Sequence, residues 1–223
     1  MDTRERAVVS VQARMGSTRL PGKVLLALGD TRVIGRVVDQ CLVPNGPDVV
    51  VTTGESAEND AVKEWCRRAD VPCLTGPEDD LLKRHRSVAH RVDADCLVRV
   101  TGDCPFVPQT EIERLLDEHR NNGARYTTNY AETMPVGTAV DVLDRSLLDD
   151  LSETATSHPV KQPRAEPERW ETVVSPNPEW ERYRGAHIAV DTPADYWTLV
   201  DAVDAVGDDS RAVAAWVADT RLS

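Results

Sequence analysis

Aromatic side chains are scarce in this sequence of 223 residues, at 4% of the chain with a single phenylalanine. Long hydrophobic runs are also missing: no segment approaches the roughly 18 uninterrupted apolar residues that a membrane-spanning helix requires. The charged residues 1–6 lack the apolar stretch of a secretory signal. These features predict a cytoplasmic protein that is not inserted into a membrane.

Cysteine is present in an odd number, and the sequence contains no C-x-x-C pair. Positions 41, 66, 73, 96 and 104 carry the five cysteines. An odd count in a chain long enough to bury a core argues against a disulfide framework and against a zinc site. We therefore expect free, mostly buried thiols in a reducing compartment.

Positive charge is outnumbered, with 26 basic against 38 acidic residues and a formal net charge of −12. Because an acidic surface repels the phosphate backbone, a polynucleotide partner is not expected. Lysine occurs only four times, so arginine supplies most of the positive charge. Together with the acidic excess, this composition resembles that of proteins from a salt-rich cytoplasm.

Short β-branched runs alternate with amphipathic segments through the first half of the chain. The predicted strands are residues 7–11, 48–53, 71–74 and 95–100, and the predicted helices are residues 32–43, 57–69, 79–92 and 109–120. Asn121-Asn122-Gly123 is a typical helix C-terminal signal. Four consecutive strand–helix units predict an α/β fold with a mostly parallel, doubly wound sheet between two helical layers.

The pattern changes after Gly123. Residues 124–129 and 139–143 are predicted strands, and residues 146–154 a short helix. Residues 157–178 carry five of the fourteen prolines and little periodicity, which predicts an irregular excursion. A returning strand at 186–190 and helices at 196–206 and 210–220 complete a predicted single domain. Its parts are a nucleotide-binding half (1–123), an acceptor and dimerisation excursion (124–185) and a returning segment (186–223).

A glycine-rich basic loop follows the first predicted strand. It reads Gln12-Ala13-Arg14-Met15-Gly16-Ser17-Thr18-Arg19-Leu20-Pro21-Gly22-Lys23. Open parallel sheets bind ligands at the carboxyl ends of their strands, where this loop lies. Glycine admits backbone N–H groups to phosphate oxygens, the hydroxyls donate hydrogen bonds, and the arginines and lysine supply positive charge. The spacing is neither a P-loop nor G-x-G-x-x-G, so a solvated basic loop is the alternative.

Two aspartates end predicted strands at the same edge of the sheet. Asp103 lies in Thr101-Gly102-Asp103-Cys104-Pro105, and Asp191 precedes Thr192-Pro193. A carboxylate beside a glycine that admits phosphates suits Mg²⁺, which prefers one or two carboxylates with phosphate oxygens and water. For Asp191 the alternative is the N-cap of the following helix.

Several spaced motifs, in order along residues 7 to about 200, resemble one known family. Besides the loop 12–23 and its continuation Val24-Leu25, they are Val49-Val50-Val51-Thr52-Thr53, Glu58-Asn59-Asp60, Gly76-Pro77-Glu78-Asp79-Asp80-Leu81-Leu82-Lys83-Arg84, Val98-Arg99-Val100-Thr101-Gly102-Asp103-Cys104-Pro105 and Val190-Asp191-Thr192-Pro193-Ala194-Asp195. The family is the cytidylyltransferases that make CMP-activated sugar acids, the acylneuraminate and 3-deoxy-manno-octulosonate enzymes. The resemblance is closest to the branch named for spore coat polysaccharide biosynthesis protein F.

This resemblance implies a nucleotide-diphospho-sugar transferase fold of the Rossmann-like glycosyltransferase A kind. It also implies transfer of CMP from CTP to an acidic sugar, in a homodimer formed through residues 124–180. Asp103 and Asp191 would share a Mg²⁺ ion, and Arg14, Lys23 and Asp103 would be catalytic. The implied nucleotide contacts are Ala13, Arg14, Gly16, Ser17, Arg19, Lys23, Thr52, Thr53, Arg84 and Thr101, and the implied acceptor contacts are Asn129, Asp141 and His158.

Alternatives remain for several of these residues. Arg84 could be a surface arginine paired with Asp80, and Thr52 and Thr53 could be ordinary strand residues. His85, His90 and His119 lie in polar helices and are expected to be solvated, whereas His187 is expected in the core or at a sheet edge.

The acceptor half departs from the family pattern. Relatives tend to carry Pro-Asp-Gly-x-Asp-Val-Glu where this chain has residues 135–141, so Val136 and Ala139 replace acids and Asp141 replaces a glutamate. The Arg-Glu that usually precedes the His-Val element near His158 is also missing. Other readings are therefore a same-fold transferase for another nucleotide or acceptor, and a non-catalytic nucleotide-binding protein.

Overall fold

The computed structural model describes residues 6–151 and 158–220. In these ranges the strands are β1 (Ala7–Gln12), β2 (Ala27–Leu28), β3 (Thr31–Arg32), β4 (Asp48–Gly54), β5 (Cys73–Gly76), β6 (Cys96–Thr101), β7 (Tyr126–Thr128), β8 (Asp141–Asp144) and β9 (Thr172–Val174). The helices are α1 (Val33–Cys41), α2 (Asp60–Arg68), α3 (Leu81–Arg91), α4 (Gln109–Asn122), α5 (Arg145–Asp150), α6 (Lys161–Ala165), α7 (Pro178–Glu181), α8 (Pro193–Val206) and α9 (Ser210–Thr220). Short 3₁₀ turns cover Lys23–Leu25 and Ala57–Asn59.

Seven of these strands form one sheet in the order β5-β4-β1-β6-β8-β7-β9. Strands β5, β4, β1 and β6 are parallel to one another, and β8 runs antiparallel to both of its neighbours. Strand β9 then pairs parallel to β7. The predicted α/β fold with a mostly parallel sheet is confirmed.

Both faces of the sheet are covered because its central strands are apolar on both sides. On one face Val9 of β1 packs in a cluster with Ile34 of α1 and Ile112 of α4. On the other face Val8 shares a cluster with Leu82 of α3. Burial on both faces is typical of parallel strands, whose helical crossovers lie above and below the sheet.

The excursion after Gly123 contains more regular structure than predicted. Strands β7 and β8 are shorter than the predicted segments 124–129 and 139–143, and the predicted irregular stretch 157–178 contains α6 and β9. A strand of three residues is too short to give a readable alternation, which explains why β9 was not predicted. The predicted helix 146–154 corresponds to α5, and its residues 152–154 lie outside the described ranges.

The predicted strand at residues 186–190 is wrong. This segment makes one isolated bridge, between Val136 and His187. Its backbone hydrogen bonds join loop residues instead of a strand: the Ile188 N–H donates to Val136 O at 2.8 Å and the Val190 N–H to Asp103 O at 2.8 Å. The segment therefore lies against two loops, and it leads into α8, where the chain resumes the predicted helical pattern.

All five cysteines are free, as predicted, and four of them are buried. Burial raises the pKa of the Cys41 and Cys104 thiols, so both stay protonated at neutral pH. In the two described ranges, each helix falls short of the combination of length and apolar character that crossing a bilayer needs.

Candidate nucleotide-binding cleft

A cavity of about 550 Å³ lies at the carboxyl edge of the parallel strands. Its volume falls within the range of typical small-molecule and cofactor sites. The loop after β1, the junction of β5 and α3, and the end of β6 form most of its wall. The lining residues are Gln12, Ala13, Arg14, Ser17, Thr18, Arg19, Lys23, Val24, Glu78, Asp79, Leu81, Arg84, Thr101, Asp103, His158 and Asp191.

The basic loop folds back on the carbonyl of Met15. The backbone N–H groups of Ser17 and Gly22 both donate to Met15 O at 2.9 Å, and Gly22 has the positive φ of 72° that closes the loop. The Ser17 N–H is thus engaged inside the loop, while Ser17 itself lines the cavity. Gly16 lies outside the described cavity lining and faces Glu58, whose Oε1 would be 3.3 Å from an added Cβ.

Lys23 joins the two aspartates predicted to hold a metal. Its Nζ lies 2.5 Å from Asp103 Oδ2 and 3.1 Å from Asp191 Oδ1. Arg19 donates a further hydrogen bond to Asp191 Oδ1 at 2.8 Å. Burial opposes ionisation of Asp191, but the hydrogen bond from Lys23 and the charges of Lys23 and Arg19 lower its pKa.

The donor set of this pair fits a hard divalent cation. Oxygens from two carboxylates already converge on one cationic nitrogen, so both lie close enough to share a cation. Within the described ranges there is no group of three or more His, Cys, Asp or Glu side chains placed to hold a metal ion. An ion at Asp103 and Asp191 would therefore complete its coordination with substrate oxygens and water, as Mg²⁺ commonly does.

Asp191 is not the N-cap of α8. Thr192 has that role: its hydroxyl accepts from the Asp195 N–H at 3.2 Å, and the Asp195 carboxylate accepts from the Thr192 N–H at 2.9 Å. This reciprocal capping box leaves Asp191 to face the cleft. His187 is half-buried beside it, with Nε2 at 3.3 Å from Asp191 Oδ2.

Arg84 is a buried cation in the cavity wall, with 4% of its surface exposed. Its Nε has no hydrogen-bond partner among the described residues. Burial lowers the pKa of its guanidinium, and the Glu78 carboxylate opposes that shift. The alternative of a surface arginine paired with Asp80 is wrong, because Arg84 is buried, and Asp80 caps α3 by accepting from the Lys83 N–H at 2.8 Å.

The remaining nucleotide candidates divide between the cleft and the sheet. Ala13 and Thr101 line the cavity. Thr52 and Thr53 are buried in β4, outside the lining formed by the described residues, and Thr53 Oγ1 has no hydrogen-bond partner in those same ranges. The structure therefore brings the loop, Arg84 and the aspartates together, and keeps the two threonine side chains in the interior.

Two of the three acceptor candidates are fully buried structural residues. Asn129 accepts from the Val140 N–H at 2.8 Å and donates to Glu111 Oε2 at 3.0 Å. Asp141 accepts four hydrogen bonds, at 2.6–2.8 Å, from Tyr126, Thr128, Arg99 and Arg164. His158 is the acceptor candidate that lines the cleft.

A buried polar network next to His158 was not predicted. Arg99 donates to Gln12 Oε1 at 3.0 Å and to Asp141 Oδ2 at 2.7 Å, and lies 3.4 Å from His158 Nε2. A charged residue inside the apolar run of β6 is the sequence signal that could have revealed it. Burial and the Arg99 charge lower the pKa of His158 to about 4, so this histidine is neutral at pH 7.

The helical histidines differ from expectation in two cases. His85 and His119 are buried, whereas His90 is exposed as predicted. His85 contacts Ser10 Oγ at 3.0 Å, and His119 contacts Asp144 Oδ1 at 3.0 Å. Burial and the charge of Arg99 hold the pKa of His85 well below its usual range. The sequence of each helix is polar because a hydrogen-bonded histidine, His85 or His119, occupies a core position in it.

One family model, described as cytidylyltransferase, matches residues 8–162. Among its relatives, the spore coat polysaccharide biosynthesis protein SpsF of Bacillus subtilis strain 168 is 30% identical over 200 residues, which cover 85% of this chain and 82% of that protein. A solved cytidylyltransferase from Leptospira borgpetersenii serovar Hardjo-bovis superposes with a TM-score of 0.89 at 26% identity, covering 98% of this chain and 96% of the other.

Two more distant structures share the fold. CMP:2-keto-3-deoxy-manno-octonic acid synthetase complexed with CTP has a TM-score of 0.65 at 19% identity, over 90% of this chain and 99% of the other. A Mycobacterium tuberculosis H37Rv protein in complex with manganese has a TM-score of 0.66 at 20% identity, over 89% of this chain and 100% of the other.

Proposed function

This chain belongs to the cytidylyltransferase family of nucleotidyltransferases, and on that premise we propose that it transfers CMP from CTP to an acidic sugar and releases pyrophosphate. The product would serve surface polysaccharide or glycoconjugate synthesis. The observation that carries the proposal is the Lys23–Asp103–Asp191 cluster, which lies in one cleft with three arginines. Cations beside paired carboxylates suit a triphosphate that arrives with a divalent metal.

The basic side chains would bind the triphosphate. Arg14, Arg19 and Lys23 all come from the loop after β1, and we assign them to the β- and γ-phosphates that leave as pyrophosphate. Arg84 adds a fourth cation from α3, and its guanidinium is already desolvated. Lys23 and Arg84 are buried, and buried cations stabilise developing negative charge more strongly than the same cations in bulk water.

Asp103 and Asp191 would hold a divalent cation, which we take to be Mg²⁺. A structure of the same fold was obtained with manganese, which supports a divalent metal of this kind. When bound, such an ion neutralises charge on the phosphate oxygens. Lys23 keeps the two carboxylates together, and Arg19 holds one oxygen of Asp191.

The reaction is an in-line displacement at the α-phosphorus. A bond forms from the acceptor hydroxyl oxygen to phosphorus while the bond to the pyrophosphate oxygen breaks, and the hydroxyl proton passes to solvent. Such chemistry depends mainly on positioning and charge neutralisation. His158, which is neutral at pH 7, lies at the side of the cleft where we place the acceptor.

We further propose a single nucleotidyltransferase domain with the parts 1–123, 124–185 and 186–223, and a homodimer formed through residues 124–180. The exposed apolar side chains of Tyr130, Val136 and Val174 in this segment support a subunit contact. Strand β9 also lies at the edge of the sheet, where an unpaired backbone can meet another chain.

Thermal melting with each of the four nucleoside triphosphates and Mg²⁺ tests the nucleotide. A ligand at a hundredfold its dissociation constant adds about 2.7 kcal/mol to the free energy of unfolding, which is about 5–11 °C for a chain of this size. We expect this shift for CTP alone, with a smaller shift in Arg14→Ala and Asp103→Asn. Arg67→Ala is the control, because this exposed arginine pairs with Glu64 on α2.

Pyrophosphate release with a panel of sugar acids tests the reaction. Asp103→Asn should lose turnover while it keeps part of its nucleotide affinity. Equal thermal shifts for all four nucleotides would refute the CTP assignment, and turnover that survives in Asp103→Asn would refute the role of this carboxylate.

A further inference from the structure

Asn59 links two walls of the cleft without lining it. Its side chain is fully buried at the end of the 3₁₀ turn that precedes α2. Asn59 Oδ1 accepts the Met15 N–H at 2.9 Å. Asn59 Nδ2 donates to Glu78 Oε1 and Oε2, both at 3.1 Å, and to Ser56 Oγ at 3.2 Å. One carboxamide thus joins the loop after β1 to the loop after β5.

At one end of the link through Asn59 lies Met15, the residue whose carbonyl closes the basic loop. The Met15 carbonyl accepts from the Ser17 and Gly22 N–H groups, and the Met15 N–H donates to Asn59. Both sides of Met15 are therefore fixed by hydrogen bonds. Arg14 directly precedes Met15 in the chain, so the direction of Arg14 depends on how Asn59 holds Met15.

The other end of the link through Asn59 is the carboxylate of Glu78, in the cavity wall. Burial opposes ionisation of Glu78, but hydrogen bonds from Asn59 and Ser56 and the charge of Arg84 lower its pKa. Its Oε2 lies where a side chain on Gly54 would be, 1.8 Å from an ideal Cβ. Glu78 is therefore an ionised group held against the end of β4, and it gives Asn59 a rigid support.

We infer that Asn59 is a positioning residue for the nucleoside triphosphate: it fixes the loop that carries Arg14 and Ser17 against the Glu78 wall and so sets nucleotide affinity. The inference rests on the proposed function, because it takes a nucleotide as the ligand of this loop. A carboxamide is required, since the same group must accept from a backbone N–H and donate to a carboxylate. An aspartate would keep the acceptor but would face Glu78 with a second negative charge.

A double-mutant cycle that exchanges the carboxamide of Asn59 and the carboxylate of Glu78 tests the inference. Asn59→Asp should raise the KM for CTP by about 10–100-fold, the effect of losing one hydrogen bond to a charged group and adding like-charge repulsion. The kcat should change by less than about threefold, because Asn59 touches no reacting atom. The double variant Asn59→Asp/Glu78→Gln should have a KM for CTP close to that of Glu78→Gln alone, because the introduced glutamine amide can donate to the introduced carboxylate.

The chain contains a matched control in Asn177. This residue also accepts a backbone N–H, that of Glu179 at 3.0 Å, and donates to a carboxylate, Glu111 Oε1, at 2.6 Å. Asn177 lies at the start of α7, outside the described lining of the cleft. Asn177→Asp should lower the melting temperature and leave the KM for CTP unchanged. Equal KM increases in the Asn59 and Asn177 variants would mean general loosening and would overturn the inference.

Hydrogen–deuterium exchange gives a readout that does not depend on turnover. In Asn59→Asp the amides of residues 13–23 should exchange at least about tenfold faster, because repulsion between the new carboxylate and Glu78 displaces the group that accepts the Met15 N–H. Unchanged exchange, or a double variant that recovers nothing, refutes the positioning role. A wild-type protein that neither binds CTP nor releases pyrophosphate would refute the proposed function, and the exchange result would still decide whether Asn59 fixes the loop.

Discussion

Replacing Asp141 by asparagine should destabilise the fold strongly. The substitution keeps the volume of the side chain but removes the charge that pairs with Arg99 and Arg164, each at 2.7 Å. Asp141 is fully buried, and both arginines would be left near the interior without a counter-ion. Removing one partner of a buried ion pair costs about 3–5 kcal/mol. For a chain of this length, that loss corresponds to a fall in melting temperature of about 6–20 °C.

The pH dependence of stability gives an independent estimate of how much the Asp141 carboxylate stabilises the fold. Burial opposes ionisation, but the charges of Arg99 and Arg164 lower the pKa of Asp141 from 3.8 to about 2. The depressed pKa means that the carboxylate stabilises the folded state fully above about pH 4 and loses this effect as the pH falls toward 2. A shift of this size is worth about 2–3 kcal/mol at neutral pH. The stability of the variant should therefore approach that of the wild type only as the pH falls toward 2.

Calorimetry of both proteins from pH 7 to pH 2 measures this difference. Asp150→Asn is the control, because Asp150 forms a 2.7 Å pair with Arg125 but is 61% exposed. Its loss should cost no more than about 1 kcal/mol. A variant at Asp141 that melts like the wild type and has a higher KM for the acceptor would refute the structural role and support the acceptor contact predicted from the sequence.

Three further predictions follow from the cleft and the charge. Arg84→Gln should weaken CTP binding in calorimetric titration by about 10–100-fold without lowering the melting temperature, because its guanidinium is buried without full hydrogen bonding; a lower melting temperature with unchanged affinity would contradict this. Gly102→Ala should lower the free energy of unfolding by about 1–3 kcal/mol, because the added Cβ would lie 2.8 Å from Gln12 O. Denaturant titration measures this change, and an unchanged unfolding midpoint would refute the close contact. The melting temperature should rise from dilute to molar KCl, because the net charge of −12 repels itself; a flat curve would count against self-repulsion.

The sequence predicts the nucleotide half well because local signals there agree with the tertiary structure. The β-branched runs of β1, β4 and β6 mark buried parallel strands, and the basic loop follows the first of them, where such sheets bind ligands. Family resemblance adds Arg84 and Asp191, which the structure brings to the same cleft.

The remaining features depend on partners distant in the chain. The role of Asn59 follows from Met15 and Glu78, which lie 44 and 19 residues away. Burial of Asp141 likewise follows from Arg99 and Arg164, on a different strand and a different helix. No periodicity encodes such pairings. Residues 186–190 show the opposite failure: their mostly apolar sequence predicted a strand, but their backbone hydrogen bonds go to loops.

The attachment of residues 186–191 bears on how this protein loses activity on heating. Asp103 directly follows the central sheet, whereas Asp191 ends a segment joined to the loops by the Val136–Ala186, Ile188–Val136 and Val190–Asp103 backbone hydrogen bonds. Ile188 and Val190 are fully buried, but this segment has fewer backbone hydrogen bonds than the sheet, so we expect it to open at lower free energy. The two carboxylates can therefore separate in a local opening that leaves the sheet intact. Inactivation should begin at a lower temperature than global melting, with the amides of residues 188 and 190 losing protection first.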